Sequence, residues 1–340
     1  MTGFSDLLAI ANSGRALSRA EMRRAIDFLL ENAAAEDEVG QFLLALKARG
    51  ETAEEIVAAA EAMRAKAILV EAPLDAIDTC GTGGDGADTF NISTAAALIV
   101  AGCGLPVAKH GNRSASSRSG SSDVLAALGV NIHAGEAIIA RCITDAKVGF
   151  MFAAYHHRSV AHVAAVRKKL GVRTIFNALG PLANPAGAKR QLLGVYDRAL
   201  TGVIAEALGM LGAERAWVVA GSDGLDELTT TAISFVSEIN DGAVRHFTIA
   251  PEDAGLPRAT AADLKGGDPE DNAKALRRLL GGESGPYRDI AVLNAAAALI
   301  VGGRAQTLRD GARLAEQSID SGRARAALEK LVAISNEGQL

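Results

Sequence analysis

Three polar, glycine-rich turns follow one another between Asp78 and Asp123, and short apolar runs flank each of them. The turns are Gly81-Thr-Gly-Gly-Asp85, Asn91-Ile-Ser-Thr94 and Lys109-His-Gly-Asn-Arg113, and the third continues into a serine-rich turn that ends at Ser121. Such turns expose backbone N–H groups, hydroxyls and one lysine at the ends of buried elements. This combination suits a phosphate-rich, anionic small molecule.

The spacing of apolar residues predicts two structural regions. Residues 1 to about 70 indicate helices only, with capping boxes at Ser18-Arg-Ala-Glu21 and Thr52-Ala-Glu-Glu55. After Pro73, short apolar runs alternate with alanine-rich segments, which is typical of an α/β domain with a central, mostly parallel sheet. The predicted strands are 77–79, 105–108, 149–152, 192–196 and 216–219, and the predicted helices are 93–101, 123–128, 201–211 and 294–301.

The segment 159–187 breaks this alternation. It contains a helix, then Arg173-Thr-Ile-Phe-Asn177, then Gly180-Pro-Leu-Ala-Asn-Pro185, and its Gly and Pro residues indicate a hinge crossing rather than a strand. We predict that it returns to the helical domain and forms one wall of a ligand cleft between the domains. The predicted domains are a small helical domain, 1–72 with 159–187, and a larger α/β domain, 73–158 with 188–340. Residues 250–290, rich in Gly, Pro and charged residues, indicate a surface excursion.

Composition excludes several classes of protein. The formal net charge of −5 argues against nonspecific nucleic-acid binding, which usually requires a basic excess. No apolar run reaches the roughly 20 residues of a membrane span, and the N-terminus lacks a signal-peptide pattern. Cys80, Cys103 and Cys142 have no metal-binding spacing, so we expect reduced thiols and a cytoplasmic location.

Each polar turn allows a ligand-binding and a purely structural interpretation. The glycines from Gly81 to Gly84 permit close backbone approach to a ligand, but they also suit a tight strand-to-helix turn. Hydroxyl and amide side chains then precede an alanine-rich helix, where they suit an anion site or a simple N-cap; they belong to Thr89, Asn91, Ser93 and Thr94. The chain has neither a GxxxxGK[ST] P-loop nor a GxGxxG dinucleotide motif, which disfavours both of those sites.

The third turn places Lys109 at the end of a predicted strand, where we favour a phosphate contact over an ordinary solvated lysine. We interpret His110 as a hydrogen-bonded structural histidine rather than a catalytic one. Serine-rich turns are often only flexible, but a loop that closes over a polyanion has the same composition. The serines concerned are Ser116, Ser117, Ser119 and Ser121.

Charged residues further along the chain suit a cation and a carboxylate. Asp226 and Glu227 follow a predicted strand, and they form either a solvated acidic turn or a site for Mg²⁺, which prefers one or two carboxylates with substrate phosphate and water. Val160, Val163, Ala164 and Arg167 share a helix face, and Val160 and Val163 are expected to point toward a core. Arg167 either extends to water or meets a carboxylate in a partly dry cleft.

In this order and spacing, the motifs resemble those of the anthranilate phosphoribosyltransferase family, in the nucleoside phosphorylase-like phosphoribosyltransferase class. The resemblance covers nearly the whole chain, and several ordered motifs are far more specific than any one of them. The motifs are Asp78-Thr-Cys-Gly-Thr-Gly-Gly-Asp85, Phe90-Asn-Ile-Ser-Thr94, Lys109-His-Gly-Asn-Arg113, Arg173-Thr-Ile-Phe-Asn177, Gly180-Pro-Leu-Ala-Asn-Pro-Ala186, Asp223-Gly-Leu-Asp-Glu227 and Leu293-Asn-Ala-Ala296.

The resemblance implies transfer of the 5-phosphoribosyl group from phosphoribosyl pyrophosphate (PRPP) to the amine of anthranilate. The products are N-(5-phosphoribosyl)anthranilate and pyrophosphate, in the second step from chorismate to tryptophan. The implied PRPP-binding residues are Gly81, Gly84, Asp85, Thr89, Asn91, Ser93, Thr94, Lys109 and Ser121. The implied sites for two Mg²⁺ ions are Ser93, Asp226 and Glu227, and those for anthranilate are Gly81, Asn112 and Arg167. The reaction depends on positioning and charge stabilisation, so no catalytic acid or base is named. The family also implies a homodimer formed through the helical domain.

The sequence departs from the family pattern at two positions. Arg158 replaces the usual Pro after a pair of histidines, and Ala220 replaces the usual His before the glycine of the acidic motif. Neither position is an expected ligand contact, so only the local loop geometry is in question. A pyrimidine nucleoside phosphorylase is disfavoured, because those chains are typically longer and carry a different lysine–histidine–serine motif. A paralogue that binds nucleic acid should lack Asn112 or Arg167 and have a basic surface, whereas this acidic chain keeps both residues.

Overall fold

The computed structural model describes residues 3–113 and 118–338, and its N-terminal region is helical. The helices are α1 (Phe4–Asn12), α2 (Arg19–Leu30), α3 (Glu36–Arg49) and α4 (Ala53–Ala65). Both predicted capping boxes form: Ser18 Oγ accepts a hydrogen bond from Glu21 N at 3.3 Å, and Thr52 Oγ1 accepts one from Glu55 N at 3.3 Å. These bonds satisfy N–H groups that the first turn of a helix leaves unpaired, which explains why α2 and α4 begin where the sequence predicts.

Seven strands of the described residues form one sheet in the order β3-β2-β1-β4-β5-β6-β7. They are β1 (Ile77–Gly81), β2 (Val107–Gly111), β3 (Val148–Phe152), β4 (Arg190–Gly194), β5 (Arg215–Gly221), β6 (Ser234–Asn240) and β7 (Ala243–Ile249). Strands β1 to β5 pair in parallel, whereas β6 and β7 pair antiparallel. The prediction of a mostly parallel sheet is confirmed, and the five predicted strands overlap β1 to β5 with shifted ends. The β6–β7 hairpin is absent from the sequence prediction.

The remaining helices surround the sheet. They are α5 (Ile92–Gly102), α6 (Ser121–Ala127), α7 (Glu136–Arg141), α8 (Ala153–His156), α9 (Ala161–Leu170), α10 (Ile175–Leu182), α11 (Leu200–Met210), α12 (Pro269–Leu280), α13 (Pro286–Val301), α14 (Leu308–Asp320) and α15 (Arg323–Ser335). Successive strand residues point to opposite faces, so Leu192 packs in a cluster with α5 and α13, whereas Leu193 packs in a second cluster with α4 and α11. Both faces of the sheet are therefore covered, as is usual for parallel strands. No helix within residues 3–113 or 118–338 is long and apolar enough to cross a membrane.

The segment 159–187 forms α9 and α10 and contains no strand, in agreement with the sequence prediction. Val163 and Val166 lie in the same hydrophobic cluster as side chains of α2, α3 and α4, so the segment packs on the N-terminal helices. The predicted core contact of Val160 and Val163 is confirmed, whereas Ala164 is exposed, because the buried face of α9 continues through Val166. The same cluster continues through Leu193 onto the sheet. Because hydrophobic packing runs across the predicted border between the domains, the domain bounds stay a prediction.

The prediction of a surface excursion for residues 250–290 is wrong. The region contains α12, whose Ala273, Leu276 and Leu279 are buried in the larger hydrophobic cluster. Charged side chains occupy the opposite face of this amphipathic helix, and they dominate the composition from which the excursion is predicted. Helix α13 likewise begins at Pro286, well before the predicted start at residue 294.

Candidate active site

The carboxyl ends of four neighbouring parallel strands meet at one edge of the sheet, and each of these strands ends in glycine. The last residues are Gly111 of β2, Gly81 of β1, Gly194 of β4 and Gly221 of β5. A Cβ atom at Gly194 would lie 1.5 Å from the Asp226 backbone oxygen, and one at Gly81 would lie 2.4 Å from Asp226 Oδ2. At Gly111 a Cβ atom would lie 2.2 Å from Ser121 Oγ. The glycines therefore let the acidic turn and the start of α6 pack directly on the strand ends.

The first polar turn, which follows β1, is held from two sides. Gly83 N donates a hydrogen bond to Asp226 Oδ2 at 2.7 Å, and the Arg173 guanidinium donates one to the Gly84 backbone oxygen. The φ angles of Gly83 and Gly84 are 63° and 81°, in the left-handed region that glycine enters without steric cost. Asp85 Oδ1 accepts a hydrogen bond from the backbone N–H two residues later, at 3.1 Å. This turn therefore connects the acidic turn to the segment between α9 and α10.

The second polar turn forms the N-terminus of α5. Asn91, rather than Ser93 or Thr94, occupies the N-cap position, so simple capping does not account for the latter two. Ser93 N donates a hydrogen bond to Glu227 Oε1 at 3.1 Å. Thr94 Oγ1 is buried and has no hydrogen-bond partner within the described part of the chain. Backbone N–H groups at a helix N-terminus stabilise anionic groups, and here one of them already binds a carboxylate.

Lys109 lies at the end of β2, and only 2% of its surface is exposed. Its Nζ donates hydrogen bonds to the Thr79 backbone oxygen and to Ser93 Oγ, the latter at 3.4 Å. The alternative of a solvated lysine is therefore wrong. Burial raises the pKa of the nearby Asp78 carboxyl, and the Lys109 charge opposes that rise. A buried ammonium beside the α5 N-terminus gives this edge of the sheet a fixed positive charge.

The acidic turn after β5 adds two carboxyl groups to the same edge. Removal of water by the surrounding protein raises the pKa of both Asp226 and Glu227 well above the ordinary carboxyl range. The Asp85 charge raises the pKa of Asp226 further, and the Asp226 charge raises that of Glu227. Of the charged groups that act strongly on Glu227, only Lys109 lowers its pKa. The alternative of a freely solvated acidic turn is therefore not supported.

The atoms at this edge fit Mg²⁺. Its preferred ligands are one or two carboxylates with substrate oxygens and water, and Asp226, Glu227 and the Ser93 hydroxyl all supply oxygen. Burial, and then repulsion between neighbouring carboxylates, raise the pKa values of both groups, and a bound divalent cation would oppose both effects. Among residues 3–113 and 118–338, no three His, Cys, Asp or Glu side chains converge as a metal site. A cation here would complete its coordination with substrate and water.

Local hydrogen bonds hold the third polar turn against the serine-rich turn that follows it. Ser121 Oγ donates a hydrogen bond to the Asn112 backbone oxygen at 3.3 Å, and Asn112 Oδ1 accepts one from the next backbone N–H at 2.8 Å. Asn112 is exposed, whereas Ser119 is buried. The predicted donors Ser116 and Ser117 lie outside the described residues. The structure therefore places Ser119 and Ser121 of the serine-rich turn at the strand ends.

Arg167 lies half-buried on α9 and makes no hydrogen bond to the strand-end turns in the described residues. Its Nη2 donates a hydrogen bond to Asn177 Oδ1 at 3.2 Å, and its guanidinium carbon lies 5.7 Å from the centre of the Phe176 ring. Its Nε is buried without a hydrogen-bond partner in the described residues, and burial lowers the pKa of the guanidinium. A partly dry guanidinium with an unused donor suits a carboxylate ligand, which favours the cleft interpretation over extension to water.

Two residues that sequence analysis missed support the second polar turn. Asn272 Nδ2 donates a hydrogen bond to Asn91 Oδ1 at 2.9 Å, and the Tyr287 hydroxyl donates one to the Asn91 backbone oxygen at 3.3 Å. Tyr287 also stacks on Phe90, with ring centres 4.4 Å apart. Both residues lie within 250–290, the region for which the sequence predicts a surface excursion. The helical spacing of apolar residues from Pro269 to Leu280, with Asn272 on the apolar side, is the signal that predicts α12.

His110 has the structural surroundings that the sequence predicts. Its Nδ1 lies 3.1 Å from the Gly180 backbone oxygen, and burial lowers its pKa to about 3. Burial also lowers the pKa of the neighbouring His157 to about 4, and the two rings lie 5.2 Å apart. Both imidazoles are therefore neutral near pH 7.

The two departures from the family pattern lie outside the strand-end network. The Arg158 guanidinium carbon lies 4.7 Å from the centre of the Tyr155 ring. Ala220 is buried in β5, where it pairs with Phe235 of β6. Neither residue takes part in the hydrogen bonds that join the polar turns to the acidic turn.

Hydrogen bonds link several of the predicted site residues across the strand ends, and we call these links the strand-end network. The links are Gly83 to Asp226, Ser93 to Glu227, Lys109 to Ser93, and Asn91 to Ser119. Thr89 pairs with Lys265 in a backbone bridge. Arg167 stands outside the network on α9. The edge thus combines backbone N–H groups, an ammonium and two carboxyls, which suits a phosphate ligand that carries a divalent cation.

Two family models match the chain. The glycosyl transferase family a/b domain matches residues 74–325, and the glycosyl transferase family helical bundle domain matches residues 5–67. The chain is also similar to the anthranilate phosphoribosyltransferase of Beijerinckia indica subsp. indica. The two are 56% identical over 337 residues, which make up 99% of this chain and 98% of that protein.

Solved structures of the same kind of protein resemble the whole chain. Anthranilate phosphoribosyltransferase from Thermus thermophilus matches with a TM-score of 0.93 and 42% identity, over 97% of this chain and 99% of that chain. The Saccharomyces cerevisiae protein in complex with PRPP and Mg matches with a TM-score of 0.89 and 30% identity, over 98% of both chains. Its complex with 4-fluoroanthranilate matches with a TM-score of 0.88 and 29% identity, over 98% of this chain and 99% of that chain.

Proposed function

The chain belongs to the anthranilate phosphoribosyltransferase family, and we propose that its strand-end turns and acidic turn bind the donor of that family's reaction. The enzyme transfers the 5-phosphoribosyl group of PRPP to the amine of anthranilate, in tryptophan biosynthesis. The products are N-(5-phosphoribosyl)anthranilate and pyrophosphate. The observation that carries the site assignment is the buried Lys109, which is bonded to Ser93 at the α5 N-terminus and whose charge opposes the rise in the pKa of Glu227.

The residues that we propose to bind PRPP all lie on the three polar turns or at the strand ends. They are Gly81, Gly84, Asp85, Thr89, Asn91, Ser93, Thr94, Lys109 and Ser121. Lys109 and the backbone N–H groups at the start of α5 offer positive charge to the phosphates of PRPP. The buried Thr94 hydroxyl, which has no partner among the described residues, offers a further hydrogen bond.

We propose that Ser93, Asp226 and Glu227 hold Mg²⁺, and that two ions bind with PRPP. The enzyme uses Mg²⁺, and the yeast relative has been solved in complex with PRPP and Mg. When bound, Mg²⁺ neutralises charge on the pyrophosphate group and makes it a better leaving group. The raised pKa values of the two carboxyls support this assignment, because a cation would relieve the repulsion and desolvation that raise them.

We propose that Arg167 and Asn112, with the backbone at Gly81, bind anthranilate. The Arg167 guanidinium has an unused Nε donor and is oriented by Asn177, so it can pair with the anthranilate carboxylate. That pairing would place the amine toward the ribose. In the transfer, the amine nitrogen forms a bond to ribose C1 while the bond from C1 to pyrophosphate breaks. The bonding electrons leave with pyrophosphate, C1 is inverted, and the nitrogen then releases one proton to water.

The protein's contribution to the reaction is positioning and charge stabilisation. Lys109 and the α5 N-terminus favour negative charge on the departing pyrophosphate, and Mg²⁺ held by the acidic turn would neutralise that charge further. His110 is neutral near pH 7 and its Nδ1 is engaged with the Gly180 carbonyl, so it is not suited to donate a proton to the leaving group. We name no catalytic acid or base.

The assembly and location of the enzyme are further proposals. We propose a homodimer formed through the helical domain, 1–72 with 159–187, with the ligand cleft between it and the α/β domain, 73–158 with 188–340. Leu44 on α3 is apolar and 43% exposed, so it is a suitable position at which to test that contact. The three cysteines are free thiols, which supports a cytoplasmic location. Light scattering of the Leu44→Asp variant would test the dimer, and we expect a smaller mass than for the wild type.

Anthranilate fluorescence tests the reaction and the acceptor site together. We expect purified enzyme with PRPP and Mg²⁺ to consume the anthranilate signal, and EDTA to prevent this. Arg167→Ala should raise KM for anthranilate about 10- to 100-fold, whereas Lys168→Ala, an exposed neighbour on the same helix, should change little. If the wild type binds PRPP but leaves anthranilate unconsumed, the assigned acceptor is wrong.

A further inference from the structure

Asn272 is a buried amide at the base of the second polar turn. It lies in the first turn of α12, and only 1% of its surface is exposed. Its Nδ2 donates a hydrogen bond to Asn91 Oδ1 at 2.9 Å, and its Oδ1 accepts one from Gly267 N at 2.8 Å. Both ends of the side chain are therefore engaged, and one of them acts on a proposed PRPP-binding residue.

Asn91 is the junction at which three parts of the chain meet. Its Nδ2 donates to the Ser119 backbone oxygen at 3.1 Å, and its Oδ1 accepts from Ser119 Oγ at 3.4 Å. Its own backbone oxygen accepts from the Tyr287 hydroxyl at 3.3 Å. Asn91 therefore joins the start of α5 to the serine-rich turn through its side-chain amide and to helix α13 through its backbone oxygen.

The bond from Asn272 and the bond to the Ser119 carbonyl together set which way the Asn91 amide faces. The Asn272 Nδ2 group can only donate, so the Asn91 atom that faces it must be the acceptor Oδ1. The Asn91 NH₂ group is then directed to Ser119, and only one of its two hydrogens is needed for the Ser119 carbonyl. An amide fixed in this direction offers the remaining N–H to an anionic ligand rather than an oxygen.

The backbone around Asn272 leaves it little room to move. Gly266 N donates to the Asp88 backbone oxygen at 2.8 Å, and Phe90 N donates to the Leu264 backbone oxygen at 3.1 Å. A Cβ atom at Gly266 would lie 2.9 Å from Asn272 Oδ1 and 2.7 Å from the Thr89 backbone oxygen. The segment before α12 is thus bonded to the turn that carries Asn91.

We propose that Asn272 is a positioning residue for PRPP: it fixes the Asn91 amide so that its NH₂ group faces the donor site and the serine-rich turn. This inference rests on the proposed function, because it takes Asn91 as a residue that touches PRPP. Asn272 itself touches no reacting atom. Its effect is exerted on the affinity for PRPP through Asn91 and Ser119, and it leaves the anthranilate side unchanged.

Titration calorimetry of PRPP with Mg²⁺ tests the inference without turnover. Asn272→Ala should raise the Kd for PRPP about tenfold, because the Asn91 amide is then held only by its two bonds to Ser119. Asn272→Asp keeps the side-chain shape and the bond from Gly267 N but cannot donate to Asn91, so it should weaken PRPP binding at least as much. It also serves if the alanine variant does not fold. In steady-state assays, KM for PRPP should rise while KM for anthranilate stays within about twofold.

A double-mutant cycle separates positioning from a general loss of stability. Once Asn91→Ala removes the amide, adding Asn272→Ala should change the Kd for PRPP by no more than about twofold. Asn131→Ala provides the matched control, since Asn131 also donates from Nδ2 to a backbone oxygen, that of Ser335, at 3.1 Å. It should lower the melting temperature but leave the Kd for PRPP unchanged.

The outcomes distinguish this inference from the function on which it rests. If wild-type enzyme binds PRPP and Asn272→Ala binds it equally well, the positioning role is overturned and the proposed function stands. Fully additive effects in the cycle would also overturn it, because Asn272 would then act independently of Asn91. If the wild type itself does not bind PRPP, both the inference and the donor-site assignment fail.

Discussion

The donor half of the site and the acceptor half differ in how tightly the chain holds them. We define the donor half as the strand-end turns with the acidic turn, and the acceptor half as α9 and α10 with Arg167. In the donor half, a single added Cβ atom at Gly194 would lie 1.5 Å from the Asp226 backbone oxygen. In the acceptor half, a Cβ atom at Gly180 would meet no atom within 4 Å, and Arg167 keeps a hydrogen-bond donor without a partner in the described residues.

This difference indicates that the two halves of the site are held in place in different ways. Backbone contacts at the sheet edge prepare the donor half before PRPP arrives, which reduces the reorganisation needed at the moment of reaction. The acceptor half depends on a few side-chain hydrogen bonds, whose individual contributions are modest. Substitutions should therefore have abrupt effects in the donor half and graded effects in the acceptor half.

The largest expected effect comes from an identical substitution placed in each half. Gly194→Ala forces the acidic turn off the strand ends, so it should weaken PRPP binding by more than about 100-fold and lower stability by roughly 1–3 kcal/mol. Gly180→Ala, inside α10 with open space around it, should leave the Kd for PRPP within about twofold and stability equal or slightly higher. Calorimetry and thermal melts of both variants give the comparison. Equal tolerance at both glycines would contradict the proposed difference in packing.

The next effect concerns the charge of the acidic turn. The raised pKa of Glu227 means that the folded protein without metal favours its neutral form. Its contribution to stability is present below the ordinary carboxyl pKa of about 4 and is lost as pH rises through the raised value. Glu227→Gln should therefore melt a few degrees higher than the wild type near pH 9 in EDTA, with the difference shrinking toward pH 5.

Bound Mg²⁺ should reverse the order of the two melting temperatures. Mg²⁺ with PRPP should stabilise the wild type at high pH but not Glu227→Gln, and the variant should lose about 100-fold or more in kcat/KM. Asp289→Asn is a suitable control, because burial also raises the pKa of Asp289 but it lies on α13, outside the strand-end network. A Glu227→Gln variant with normal Mg²⁺ dependence would remove this carboxyl from the metal site.

A smaller effect is expected at the acceptor arginine. Arg167→Lys keeps the positive charge but loses the planar fork that pairs with a carboxylate, so KM for anthranilate should rise about tenfold while KM for PRPP is unchanged. Initial rates with each substrate varied in turn would measure both constants. An equal rise in both KM values would show that Arg167 supports the donor half as well.

The smallest effect is expected at the residue that orients this arginine. Asn177→Ala removes the hydrogen bond to Arg167 Nη2, and KM for anthranilate should rise about threefold. Combined with Arg167→Ala, it should add almost nothing, since its partner is already gone. The same assays apply, and a large effect of Asn177→Ala in the absence of Arg167 would show a direct role.

The sequence predicts most residues of the donor half because they lie in short polar motifs close together in the chain. Gly81 to Ser121 form one continuous stretch of turns, and parallel strands bring such turns to one edge by rule. Asp226 and Glu227 are found for the same reason, since they directly follow a buried strand. The hydrogen bonds between these turns, such as Gly83 to Asp226, join residues too far apart in sequence for any local pattern to predict.

The misses have equally specific causes. Asn272 is 181 positions from Asn91, and charged residues on the outer face of α12 hide its apolar side in a composition count. The β6–β7 hairpin does carry a local signal: Asp241 and Gly242 connect the strands with φ angles of 47° and 81°, as expected for an Asp-Gly turn. Reading that dipeptide between two alternating strands predicts the hairpin.

The most direct test of the central claim is a calorimetric titration of PRPP with Mg²⁺ into the Arg167→Ala variant. If the sheet edge prepares the donor half independently of α9 and α10, the variant should bind PRPP with the wild-type Kd although it no longer uses anthranilate efficiently. Loss of PRPP binding in this variant, with its fold intact by circular dichroism, would contradict the claim. The two halves would then form one cooperative site.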